Sequence, residues 1–324
     1  MTSPATAISH RVVIAYDGSP SARAAVRAAA ALVPGGEIEV LTIHEAPVSL
    51  ERIRFATGQP VATEAMRRGV AELEREVLQE AAAVAQEGAE LAAEEGLRAK
   101  GQTASVRGSA WATILSEAKR QHAELLVCGS RGRGGVARAL LGSTSSALQH
   151  HADLPILVVP ERLPDLSGPV LLAYDGSESS RAAVLAGAAL FAGRSAIVVH
   201  VWESLLRRTV SGQVVSSAAT TEIRELTKGY DETLADSARE QAAEGASLAR
   251  QHGLDARAEA VESSAGAWRT LSETAWSTNA AVIVAGSRGH SGVTSAALGP
   301  VSSGLVHNAS LPVCIVTAAS PTTN

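Results

Sequence analysis

Two clusters of residues in this chain carry groups suited to holding a phosphate or a ribose, and each cluster occurs twice. The first is G-x-x-G-x9-G-S, at Gly129, Gly132, Gly142 and Ser143. Glycines let backbone approach a ligand closely, so that successive N–H groups can point at phosphate oxygens. Gly142 and Ser143 stand where a helix would begin, and a helix N-terminus offers unpaired N–H groups and partial positive charge. Ser143, Thr144 and Ser145 add hydroxyls, while Arg131 and Arg133 are cations able to meet a phosphate tail. The plainer alternative is a flexible turn before an ordinary helix. Recurrence of GSRGRGGVARALLGS (129–143) as GSRGHSGVTSAALGP (286–300) favours the phosphate site. The second cluster is Asp-Gly-Ser, at Asp17–Ser19 and Asp175–Ser177. Its carboxylate could accept hydrogen bonds from a ribose or a base amine. The same triplet also makes helix-starting turns and caps, although Ser19 or Ser177 could supply the cap instead.

Something must hold these clusters together, and the apolar pattern indicates what. Short β-branched runs alternate with alanine-rich helical stretches. In the first copy strands are expected near 11–16, 37–43, 98–106, 124–128 and 155–159, and helices near 20–32, 64–95, 109–121 and 142–151. In the second copy strands are expected near 169–174, 195–201, 255–262, 281–285 and 312–317. Continuous apolar strands such as LLVCG and AVIVAG imply a parallel sheet covered on both faces, hence a doubly wound α/β fold. In such sheets ligands sit beyond the carboxyl ends of strands, where the winding reverses. Both clusters fall there, after strands one and four. VVIAYDGSPSARAAV at 12–26 returns as VLLAYDGSESSRAAV at 170–184, so the period is about 157 residues, a duplicated domain and no solenoid. Domains are expected at 1–160 and 169–324, joined by a Pro- and Gly-containing linker at 161–168. Segments 44–63 and 202–219 look irregular and are candidates for mobile loops.

The 324 residues suit two cores. The net charge of -5, from 28 basic and 33 acidic side chains, is spread without blocks, which argues against nucleic acid and against a membrane patch. No apolar run reaches the ~18 residues that span a bilayer, and the opening lacks a secretory pattern, so a cytoplasmic location is expected. Cys128 and Cys314 sit in apolar strand-like runs and read as structural. His150 and His151 suit a helix end, and the four tryptophans suit core or interface packing. A P-loop with its lysine, a nucleophile elbow, C-x-x-C and H-E-x-x-H are all missing from the sequence. Gly132–Ala137 fits G-x-G-x-x-A, but after the wrong strand and without its repeat.

With the opening V-x-x-A-Y-D-G-S, the glycine loop and the closing HADLPILVV (151–159), echoed by HNASLPVCIV (307–316), the chain resembles the universal stress protein family, twice and over nearly its whole length. The resemblance implies two five-stranded parallel domains of order 3-2-1-4-5 that bind ATP, with Mg2+ as a candidate companion. It places Ala15, Asp17 and Ile43 about the nucleoside, and Cys128, Gly129, Arg131, Gly132, Gly142, Ser143, Thr144 and Ser145 along the ribose and phosphates. In the second copy the matching positions are Ala173, Asp175, Val201, Ala285, Gly286, Arg288, Gly289, Gly299, Val301 and Ser302. Pro300 departs from the pattern. The family's histidine before the adenine-side residue is present as His200 but is Thr42 in the first copy.

These residues could hold a nucleotide, yet they supply no obvious set for cleaving one. The expected function is regulatory: ATP occupancy shifts a surface for self-association or for an unidentified protein partner. Alternatives are a slow ATPase, self-phosphorylation at Ser143 or Thr144, and an interaction module without nucleotide. A homodimer is expected, paired through the closing strands ILVV and VCIV, unless the two copies already pack as a pseudo-dimer within one chain, and the second site is expected to be the weaker because of Pro300.

Overall fold

The computed structural model describes residues 10–45, 64–132, 141–205, 217–263, 265–289 and 298–317. The first repeat runs β1 (Arg11–Ala15), α1 (Pro20–Leu32), β2 (Glu37–His44), α2 (Glu64–Glu94), β3 (Arg98–Ser105), α3 (Ala110–Arg120), β4 (Leu125–Gly129), α4 (Ser143–His151) and β5 (Ile156–Val159). The second runs β6 (Val170–Ala173), α5 (Glu178–Leu190), β7 (Ser195–Trp202), α6 (Ser217–Gln251), β8 (Asp255–Glu262), α7 (Ala267–Ser277), β9 (Val282–Gly286), α8 (Pro300–Asn308) and β10 (Val313–Val316). Every strand, and every helix expected in the first copy, begins and ends within one residue of the span its sequence implies. The segments 44–63 and 202–219, expected to be mobile, lie largely outside the described residues.

Two compact units emerge, residues 1–148 with 159–162 and residues 149–158 with 163–324. In the first, β3, β2, β1 and β4 are parallel neighbours in that order, and Val159 at the end of β5 accepts from the Ser130 N–H at 2.8 Å just beyond β4. In the second, β8-β7-β6-β9-β10 is the expected parallel order 3-2-1-4-5. Residues 156–158, grouped with this unit, pair antiparallel to β10. Arg194 holds the linker to the same unit through the carbonyls of Leu166 (2.8 Å) and Gly168 (3.1 Å).

The central strands are apolar without alternation because both faces are covered, and β4 and β9 are buried at all five residues. The long helices reach the sheet through small residues. Ala81, Ala85, Gly88, Ala89 and Ala92 form the buried stripe of α2 at helical spacing. A Cβ on Gly88 would stand 2.8 Å from the Tyr16 ring and 2.7 Å from Val40, so only glycine lets the helix approach this closely. Gly245 of α6 repeats the arrangement against Tyr174 and Val198.

Candidate functional site

Beyond Ala15 the chain leaves the sheet through Tyr16, Asp17 and Gly18. Gly18 has φ 77° and Gly176 φ 81°, a left-handed turn that costs other residues ~1–2 kcal/mol. Asp17 Oδ1 accepts from the Ser19 N–H at 3.0 Å, and Asp175 Oδ1 from the Ser177 N–H at 3.0 Å. The helix caps are separate bonds: Ser19 Oγ accepts from the Ala22 N–H and Ser177 Oγ from the Ser180 N–H, both at 3.2 Å. The serines therefore cap, and the carboxylates face the loop after strand four. A Cβ on Gly132 would lie 2.8 Å from Asp17 Oδ2, and one on Gly289 2.8 Å from Asp175 Oδ2. The two sequence clusters thus meet within a carbon atom's width.

The loop is tied to the first helix of its repeat and closed on itself. The Ser21 hydroxyl of α1 donates to the Arg131 carbonyl, and in the second repeat Ser179 Oγ accepts from the Arg288 N–H at 3.2 Å. The Gly142 N–H donates to Ser130 O at 2.9 Å and the Gly299 N–H to Ser287 O at 2.8 Å. Gly129 has a packing reason to be glycine, since a Cβ would lie 2.6 Å from Ser21 Oγ and 2.8 Å from the Ser21 carbonyl carbon. Gly142 is different: a Cβ there would meet its nearest atoms at 3.5–3.7 Å, ordinary contact, so among the described residues nothing excludes a side chain.

The hydroxyls expected along the phosphates divide. Ser143 is exposed and Thr144 half-buried at the start of α4. Ser145 is buried and donates its hydroxyl proton to Gly129 O at 2.7 Å, as Ser302 does to Gly286 O at 2.5 Å. The expectation of a third outward hydroxyl is corrected accordingly: that proton ties the helix to the end of β4. The first N–H groups of α4 have no acceptor within the helix and carry the positive end of its dipole. Arg131 is half-buried, with Glu161 at 4.0 Å. Arg133 lies outside the described residues.

In the second unit these pieces enclose a cavity of about 310 Å3. All ten positions named from the sequence for that repeat line it, from Ala173 and Asp175 to Val301 and Ser302. Its wall also includes Val199 and, from α7, Ala267 and Leu271, which the sequence reading missed. Ile43 and Val201 occupy equivalent ends of β2 and β7, one residue beyond Thr42 and His200. Those two residues do one job. Thr42 Oγ1 donates to Tyr16 O at 3.0 Å, and His200 Nδ1 lies 2.9 Å from Tyr174 O, which as a carbonyl can only accept, so Nδ1 carries the proton.

Sequence reading also missed a duplicated clamp beneath the aspartates. The Tyr16 hydroxyl donates to Glu87 of α2 at 2.7 Å, and Tyr174 to Glu244 of α6 at 3.0 Å. Arg23 pairs with Glu87 at 2.7 Å and Arg181 with Glu244, and each arginine Nε also reaches the carbonyl of the turn glycine, Gly18 or Gly176, at 3.4 Å. Burial first, then Glu244, push the Tyr174 phenol up to about 12; Tyr16 is raised for the same reasons. Both are therefore neutral donors. The identity of Tyr, Arg and Glu between the two copies was the available signal.

Cys128 and Cys314 are buried free thiols that burial pushes up to about 12, consistent with a packing role. Trp268 packs against Gly304 of α8. Trp276 is 65% exposed, which removes it from the core. Among the described residues no group of three or more His, Cys, Asp or Glu side chains is placed to hold a metal ion, and no helix is long and apolar enough to cross a membrane.

The model of the universal stress protein family matches residues 9–160 and again 167–317. A universal stress protein of Mycolicibacterium smegmatis is 28% identical over 325 residues, covering 96% of this chain and 98% of the relative. One from Mycobacterium tuberculosis is 32% identical over 203 residues, 60% of this chain and 61% of that protein. Among solved structures, a universal stress protein from Archaeoglobus fulgidus matches with a TM-score of 0.59 at 17% identity, covering 95% of this chain and 98% of its own. At that identity the likeness is one of fold.

Proposed function

The chain belongs to the universal stress protein family, carrying two of its domains in tandem, and on that footing we propose that it is an ATP-binding regulator of the stress response in the cytoplasm. The observation that carries this reading is the meeting of Asp17 with Gly132 beside the start of α4. Adenine would lie between Ala15 and Ile43, with the ribose hydroxyls on Asp17. The phosphates would run over Gly132 and Gly142 to the first N–H groups of α4, the Ser143 and Thr144 hydroxyls, and Arg131 and Arg133. Mg2+, if it accompanies the nucleotide, would be held through the phosphates, since no cluster of carboxylates among the described residues is placed to hold it. Gly142 supports this, being a glycine that packing among the described residues does not require.

Among the described residues nothing at the crevice resembles the lysine, base and metal ligands of a phosphoryl-transfer site, and in this reading occupancy itself is the signal. Bound ATP would order the loops around it and shift the association of the chain, as a homodimer or with a protein partner. The test is native mass spectrometry of the full chain with ATP, joined to single-turnover phosphate release. We expect bound adenine nucleotide and release far below ~1 s⁻¹, the lower edge of ordinary enzyme turnover. No bound nucleotide would end the reading, and turnover at that rate would replace it with an ATPase.

A further inference from the structure

The two crevices differ at the helix start, in residues the fold does not need. Where α4 opens on Ser143 and Thr144, α8 opens on Pro300 and Val301, and both of these line the second cavity. Proline is well accommodated at the first helical position. It has neither N–H nor hydroxyl, and valine has no hydroxyl, so three donors present in the first repeat are gone. Two others are engaged: Ser302 Oγ bonds Gly286 O and the Gly299 N–H bonds Ser287 O. The helix start keeps the N–H groups of Val301 and Ser302, with exposed Arg288 on the rim. A triphosphate laid here would lose hydration against proline and valine and, among the described residues, receive few donors in return. A nucleoside escapes that loss: its base would meet Val199, Val201, Leu271 and Ala285, and its hydroxyls Asp175. A single phosphate is within reach of two N–H groups and Arg288. The volume, about 310 Å3, lies at the lower end of the range for small-molecule cavities.

We infer that the second cavity selects adenosine or its monophosphate over a triphosphate, with Pro300 and Val301 as the specificity-determining residues. The inference rests on the reading of the crevices as nucleotide sites. One chain would then respond to a triphosphate through one repeat and to its dephosphorylated product through the other.

Calorimetry and native mass spectrometry on the full chain with ATP, AMP and adenosine test this. One tight ATP per chain is expected, with AMP or adenosine filling a further site that ATP at equal concentration does not empty. The double substitution Pro300→Ser with Val301→Thr should raise ATP affinity at that site ~10-fold or more, the worth of one charge-assisted bond, and change adenosine affinity less than ~3-fold. Should that variant fail to fold, Ser143→Pro in the first repeat should cost ATP ~10-fold or more and spare adenosine. Two equal ATP sites in the parent, or equal gains for ATP and adenosine, overturn the selectivity and leave nucleotide binding standing. ATP at one site with neither AMP nor adenosine at the other overturns the inference alone. No binding of any of the three overturns both.

Discussion

Gly132→Ala separates a ligand site from a mere turn. The position has no positive φ, so alanine suits its backbone and the methyl acts by volume alone. That methyl would sit 2.8 Å from Asp17 Oδ2, with the next atom, Asp17 Cγ, at 4.0 Å. The carboxylate must therefore withdraw by about 0.6 Å to reach ordinary contact, and no backbone atom need move. In the folded chain the Ser19 N–H bonds the other oxygen, Oδ1, and that bond is weakened rather than broken. In the complex it displaces the carboxylate from the ribose, a hydrogen bond to a charged group worth ~1.5–3 kcal/mol. ATP affinity at the first site should fall ~10- to 150-fold, while the melting temperature changes little. Gly142→Ala provides the control with the opposite geometry: its methyl meets the protein at 3.5 Å or beyond, so stability should hold while phosphate approach is blocked. Calorimetric titration of ATP into the full-length variants, with thermal melts alongside, reads both. Unchanged ATP affinity in folded Gly132→Ala and Gly142→Ala would show that neither Asp17 nor the loop touches the nucleotide.

Gly129→Ala should act on the fold instead. Its methyl would meet Ser21 backbone at 2.8 Å and force α1 away from β4, a cost of ~1–3 kcal/mol visible in chemical denaturation. His200→Thr should be nearly neutral, because Thr42 makes the equivalent bond in the first repeat, whereas His200→Val should cost ~1–3 kcal/mol by leaving Tyr174 O unpaired; denaturation midpoints decide. Alkaline stability should report the clamp. With the Tyr174 phenol raised from 10.0 to about 12 by the fold, its contribution is complete below pH 10 and is lost as pH rises through 10 towards 12. Tyr174→Phe should flatten the pH dependence of melting in that window, and an unchanged profile would refute the assignment.

The order of elements, the duplication and the crevice positions were legible in the sequence because they depend on local signals. Apolar runs of five residues mark buried strands, Ser19 before Pro20 marks a helix start, and a loop repeated after the same strand marks the equivalent point in each copy. Pro300 could likewise be read as a lost donor from its residue type alone. Tertiary structure decided which groups were already engaged. Gly129, Gly132 and Gly142 are one residue type in one motif, yet the first makes room for Ser21, the second for the Asp17 carboxylate, and the third for no atom of the described residues. Ser145 looks like Ser143 in the sequence and turns inward to Gly129 O. The Tyr16–Glu87 and Ser21–Arg131 bonds join residues 71 and 110 apart. No local periodicity encodes such separations; they exist only where the sheet and its crossovers bring helix starts, strand ends and the middle of a long helix to one point.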